Sequence, residues 1–184
     1  MNAGAARAST SSGLQNHFEL FGLPARYRVD AAALDGAYRK LQTEVHPDRF
    51  ASASDADRRA ALQASARVNE AYRALKDPVQ RAQYLLSLNG VDGQGETDTQ
   101  LPLDFLERQL ERREEASDAL ANEDEPALAA LRDSVRAEAR ELEERLVGEL
   151  DAARDFATAR PRVRELTFLS KLADDIDAMA ASLD

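Results

Sequence analysis

A helix that runs straight into a proline sets the frame for this chain. Ala33, Leu34, Ala37, Tyr38, Leu41 and Val45 recur at threes and fours, and Asp30 stands where it caps the helix that they imply. Two residues past Val45 comes Pro47. Proline fixes its own φ, donates no backbone hydrogen bond and pushes the residue before it out of the helical region. The chain must therefore leave the helix at His46 and set an imidazole, a carboxylate and a guanidinium (His46, Asp48, Arg49) on one stiff, exposed corner. Arg39 and Lys40 lie about one and a half to two turns back, on a face shared with Gln42 and Thr43. Alone, such a basic face is a solvated one; beside this corner it reads as a docking surface.

A polar loop from Ser52 to Asp57 follows, with Asp55 or Asp57 as cap of a second long helix to about Lys76. Its contacts are expected from Ala61, Leu62, Ala64, Ser65, Val68, Ala71, Tyr72 and Leu75. Paired antiparallel, the two helices hold the corner at their tip. Upstream, Asn16 can cap a short helix over 17–23 anchored by Phe18, Leu20 and Phe21, and stopped by Gly22 and Pro24. Downstream, Asp77-Pro78 opens a closing helix with Tyr84, Leu85, Leu86 and Leu88 as core, ended by Asn89-Gly90.

Residues 91–100 are glycine-bearing, polar and aperiodic, which marks a linker between units over 16–90 and 101–184; residues 1–15 read as a flexible tail. Beyond the linker, helices are expected over Leu103–Ala121, over 126–150 with Pro126 at its first position, and in a last segment ending near Leu183. Pro161 either opens that last helix or kinks one begun nearer Asp155. Stripes of Leu128, Leu131, Val135, Ala139, Leu142, Leu146 and Leu150, and of Val163, Leu166, Leu169, Leu172, Ala173, Ile176, Met179 and Leu183, call for a three-helix bundle. Leu106 and Leu110, one turn apart with Glu111 and Glu114 along the same side, and Phe168 at the edge of the last stripe, fit either a core or an apolar patch rimmed by acid. Periodicity does not choose between them.

Charge separates the halves. Residues 1–90 carry 12 Lys+Arg and 9 Asp+Glu, a net of +3, while residues 91–184 carry 12 and 25, a net of −13. Two surfaces of opposite sign suggest two partners, and the overall charge of −10 argues against nucleic acid. With no cysteine and only His17 and His46 as imidazoles, the chain offers no thiolate and no His-rich metal site, so no cofactor is expected. No apolar run reaches the ~20 residues that span a bilayer, and residues 1–12 lack a signal peptide's apolar core. A cytoplasmic protein is the expectation. No Gly-rich phosphate loop occurs, and a hydrolase built on His46 and Asp48 would lack a nucleophile or metal.

The order of these features, from Phe18-Glu19-Leu20-Phe21-Gly22-Leu23-Pro24 through His46-Pro47-Asp48 to Val68-Asn69-Glu70-Ala71-Tyr72 and Asp77-Pro78, resembles a J-domain over roughly residues 16–90. Stretches 18–27, 46–51, 82–88, 105–115 and 164–172 narrow the resemblance to the HscB family, J-type co-chaperones of iron–sulfur cluster assembly. It implies an all-α fold, a J-domain set in an L shape against a C-terminal three-helix bundle, and no enzyme activity of its own. It implies two partners for a monomeric chain: the ATPase domain of an HscA-like, DnaK-class chaperone, engaged through His46, Pro47, Asp48, Arg39, Lys40 and Arg49, and an IscU-like scaffold, held through Leu106, Leu110, Glu111, Glu114 and Phe168. Glu107 departs from the methionine common at that position in related sequences, which shrinks the patch. A general J-protein presenting varied unfolded clients is the alternative, against which stands the lack of a Gly/Phe-rich segment or zinc-finger cysteines; a purely structural adaptor fits the order of motifs poorly.

Overall fold

The computed structural model describes residues 15–50, 52–92 and 101–183, and all regular structure among them is helical. Seven α-helices follow in order: α1 His17–Leu20, α2 Ala31–Val45, α3 Asp55–Lys76, α4 Pro78–Leu88, α5 Leu103–Ala121, α6 Glu125–Leu146 and α7 Phe156–Ala181. The predicted tail over residues 1–14 and the linker from residue 93 to 100 lie outside the described residues.

α1 is shorter than the predicted 17–23. Asn16 and Glu19 form a reciprocal capping box at its start. At its end Gly22 takes φ +66° while the Leu23 N–H donates to the Phe18 carbonyl at 2.9 Å. That backward bond needs a left-handed residue, and glycine adopts it without a Cβ penalty. Gly90, at φ +74°, ends α4 in the same way, with the Val91 N–H bonded to the Leu86 carbonyl at 2.9 Å. α5 closes on the same pattern with Glu123 at φ 53° in the glycine's place.

Three other boundaries differ from expectation. Ser54, not Asp55 or Asp57, caps α3, because its shorter hydroxyl reaches the Asp57 N–H while both aspartates enter the first turn. Asp124 caps α6, which moves Pro126 to the second helical position. α6 does not run to 150 as an α-helix: it passes into a π-helical segment, Val147–Ala153, and ends with Arg154 at φ 54°. For the last helix the second of the two expectations holds: Asp155 caps α7, so Pro161 sits inside the helix, in its second turn, rather than opening it.

α2 and α3 form the expected pair, with Leu34 of the first buried beside Val68, Ala71 and Leu75 of the second. Leu62, Leu88 and Ala33, read from spacing as contacts, are exposed instead. The three C-terminal helices bury Phe105, Leu128, Val135, Leu142, Leu146, Val163, Leu166, Leu169 and Ile176. Burying side chains of this size contributes roughly 1.5–3 kcal/mol each. The buried residues of the N-terminal helices and of the bundle form one continuous cluster, and α4 lies against α7, where Gln83 donates to Thr167 at 3.4 Å.

Candidate functional site

The corner is built by the end of α2. His46 has φ −60° and ψ 128°, extended as the proline demands, and Pro47–Phe50 turns as one 3-10 segment. The Arg49 N–H closes this turn on the His46 carbonyl at 3.0 Å. Inside it, the Asp48 N–H donates to His46 Nδ1 at 3.3 Å, and the Asp48 carboxylate stands 3.6 Å from the same nitrogen. His46 thus braces the turn, while Asp48, with 91% of its side chain exposed, offers its carboxylate to solvent.

The basic residues divide. Arg39 and Lys40 are exposed, and neither forms an ion pair with a described residue. Arg49 is exposed as well, but its guanidinium turns back to the Thr43 carbonyl at 3.2 Å, where a cation suits the unpaired end of α2. Gln42, assigned from spacing to the face of Arg39 and Lys40, is half-buried against α3. There it donates to Asn69 and to the Tyr38 hydroxyl, which itself donates to Asn69 Oδ1 at 2.9 Å. The Tyr38 and Tyr72 rings stack at 4.0 Å, and Asp35 accepts from the Tyr72 hydroxyl at 2.9 Å and from Lys76 at 2.7 Å. These last two bonds hold the Asp35 carboxyl below its usual pKa. A polar ladder thus ties α2 to α3 over the turns leading to the tip. Helical spacing could not reveal it, because amphipathic reading assigns Gln and Asn to solvent.

On the bundle, Leu106, Leu110 and Phe168 are exposed at 40%, 60% and 42%, which decides patch over core for all three. Glu111 and Glu114 are exposed along the same helix. The Phe168 ring meets Phe105 edge-on at 6.4 Å, which seats it against α5 one residue from Leu106. Leu103, 71% exposed, extends the stripe at i, i+3, i+7 and was missed; its spacing from Leu106 and Leu110 was the available signal. Glu107 is also exposed. Among the described residues no helix is long and apolar enough to cross a membrane.

Residues 16–84 match the DnaJ domain family, and residues 101–177 match the HSCB C-terminal oligomerisation domain. The chain is 49% identical over 169 residues to a co-chaperone protein HscB homolog of Burkholderia vietnamiensis, covering 92% of this chain and 96% of the relative. A Chromobacterium violaceum homolog of the same description is 49% identical over 171 residues, covering 92% and 97%. Among solved structures, chaperone HscB from Vibrio cholerae superposes with a TM-score of 0.81 at 40% identity, covering 92% of this chain and 100% of that one. The human co-chaperone protein HscB superposes with a TM-score of 0.82 at 29% identity, covering 89% and 81%.

Proposed function

The chain belongs to the HscB family of J-domain co-chaperones, and we propose that it couples an HscA-like, DnaK-class chaperone to an IscU-like scaffold during iron–sulfur cluster assembly. The observation that carries this reading is the pairing of two exposed surfaces of different chemistry. A basic helix with a braced His-Pro-Asp corner is joined through one continuous core to a bundle with an acid-rimmed apolar stripe.

In this reading Arg39, Lys40 and the corner engage an acidic face of the chaperone's ATPase domain. The exposed Asp48 carboxylate accepts a charge-assisted hydrogen bond from a cation there. Pro47 and the His46 contact keep the corner from relaxing, so binding costs little ordering. Leu106, Leu110 and Phe168 bury against the scaffold, with Glu111 and Glu114 on the rim. Held beside the chaperone's substrate cleft, the scaffold reaches an effective concentration on the order of millimolar. The co-chaperone is then monomeric and cytoplasmic, and the nucleotide chemistry belongs to its partner.

The test is His46→Gln, which removes the brace and leaves both cores untouched. Steady-state ATPase assays should find stimulation of the chaperone reduced to background, while scaffold binding measured by calorimetry is unchanged. Full stimulation by a folded His46→Gln protein would sink the assignment.

A further inference from the structure

The two units meet through two kinds of contact. One is apolar: Leu85 and Leu86 of α4 and Leu166 and Leu169 of α7 lie in the same buried cluster. Such burial holds surfaces together in proportion to area and has no direction of its own. The other is directional, and beside the long Gln83–Thr167 hydrogen bond between α4 and α7 at 3.4 Å it is concentrated in one clasp. The Asp151 carboxylate accepts the Tyr27 N–H on Oδ1 at 2.5 Å and the Arg28 N–H on Oδ2 at 2.9 Å. Two consecutive backbone amides bonded to both oxygens of one anion leave the connector between α1 and α2 little freedom to turn, and charge-assisted bonds of this kind are about twice as strong as neutral ones. Beside them the Arg28 guanidinium reaches Glu144 at 2.6 Å, and that of Arg81 lies over the buried Tyr27 ring at 5.0 Å.

The clasp sits where small rotations are amplified. Tyr27 and Arg28 come just before Asp30, the cap of α2. The 15 residues of α2 make a lever about 22 Å long. A rotation of about 10° at its base would carry the corner by about 4 Å, more than the length of a hydrogen bond. On the bundle side Asp151 projects from the π-helical segment that ends α6, a winding that recurs at functional positions in helical proteins.

We infer that Asp151 is a positioning residue that sets the angle of α2 against the bundle. It thereby fixes the distance between the corner facing the chaperone and the stripe facing the scaffold. The apolar contact supplies adhesion, and the clasp supplies the angle. The functional consequence rests on the two-partner reading above; the geometric one does not.

The chain has no cysteine, so spin labels introduced with Glu44→Cys and Ser134→Cys report a single distance from the far end of α2 to α6. With Asp151 intact the distribution is one narrow peak. Asp151→Ala should broaden it roughly twofold with helical circular dichroism unchanged. In the unlabelled full-length chain, the same substitution leaves ATPase stimulation by the co-chaperone alone unchanged. It lowers the extra stimulation gained on adding scaffold by about fivefold, because effective concentration depends on geometry. Asp151→Asn keeps the shape but loses the charge and one acceptor, and serves if the alanine variant unfolds. A peak as narrow as the parent's in either folded variant overturns the inference. Absence of scaffold-dependent stimulation in the parent overturns the two-partner reading instead, and the distance measurement alone then decides the clasp.

Discussion

Along the hairpin that carries the corner, α2 and α3 are joined by Tyr38, Gln42, Asn69 and Tyr72, and at the end away from the corner by Asp35 and Lys76, whose hydrogen bonds and ring stack have defined directions. Inside the bundle, α6 and α7 meet through Leu128, Leu131, Leu142, Leu146, Val163, Leu166 and Leu169, with nothing directional among those side chains, and the directional contacts of Arg132 and Arg136 with Asp177 stay at the partly exposed margin. The two regions are rigid for different reasons. A two-helix hairpin has little interior in which to bury area, and it holds its tip in place with bonds that fail if the helices slide. A three-helix bundle encloses area and keeps its shape by packing. The difference suits the roles proposed for them: a corner must keep one angle, whereas a patch needs only a firm floor.

The largest effect that would sharpen this contrast is Leu146→Ala. Leu146 is fully buried, and truncation should destabilise the bundle by about 2–5 kcal/mol in urea unfolding. If the N-terminal helices melt in the same transition, the shared core couples the units; two separated transitions would show them independent. Next comes Asn69→Ala, which strips Tyr38 and Gln42 of their common partner and should cost about 1–2 kcal/mol, since the site is only part-buried and water can substitute. Amide exchange near the tip should speed up more than in α6, and an equal change in both would break the comparison.

Glu123→Gly should act in the opposite direction. Glu123 holds a left-handed φ of 53° at the end of α5, where glycine removes the strain at a cost in chain entropy, for a net gain of about 0.5–1 kcal/mol. Thermal unfolding checks it, and a lower midpoint would contradict the strain argument.

The smallest effects are of opposite sign in the two regions. The bonds from Lys76 and Tyr72 lower the Asp35 pKa below its ordinary 3.8. The stability it lends is complete above that value and is lost as pH falls through the lower folded value. Glu143, on the bundle side of the junction, has its pKa raised from the ordinary 4.5, chiefly by burial and against the pull of Arg81 and Arg140. Its ionisation in the folded state is a penalty, relieved as pH falls through the raised value towards 4.5. Asp35→Asn should therefore flatten the stability profile below pH 3.8, and Glu143→Gln should remove a shallow loss of stability as pH rises from 4.5. Denaturation midpoints measured across this range would show the two slopes, and identical profiles for both variants would refute the assignment.

Much of this was legible in the residues. Asp30, the periodic run to Val45 and Pro47 specify a helix and its stop through local rules, and those rules held where the first contact is only a turn away. The spacing of the bundle stripes likewise determined the partners' faces. Exposure of Leu106, Leu110 and Phe168 was not legible, because a stripe of leucines has the same period whether a neighbouring helix covers it or not. Leu62 and Leu88 were misread for the same reason.

The charge difference between the halves is a mixed case. Reading it as two external surfaces left out Arg28, Glu144 and Asp151, which pair with one another across the junction of the two units. The sequence by itself determined the helices, the stiff corner and the family to which they belong. Only the tertiary structure decided that Gln42 faces inward, that Pro161 lies within α7, and that Asp151 grips a connector 123 and 124 residues away. Local propensities act over a few residues, whereas a hydrogen bond between distant segments exists only once the core has brought them together.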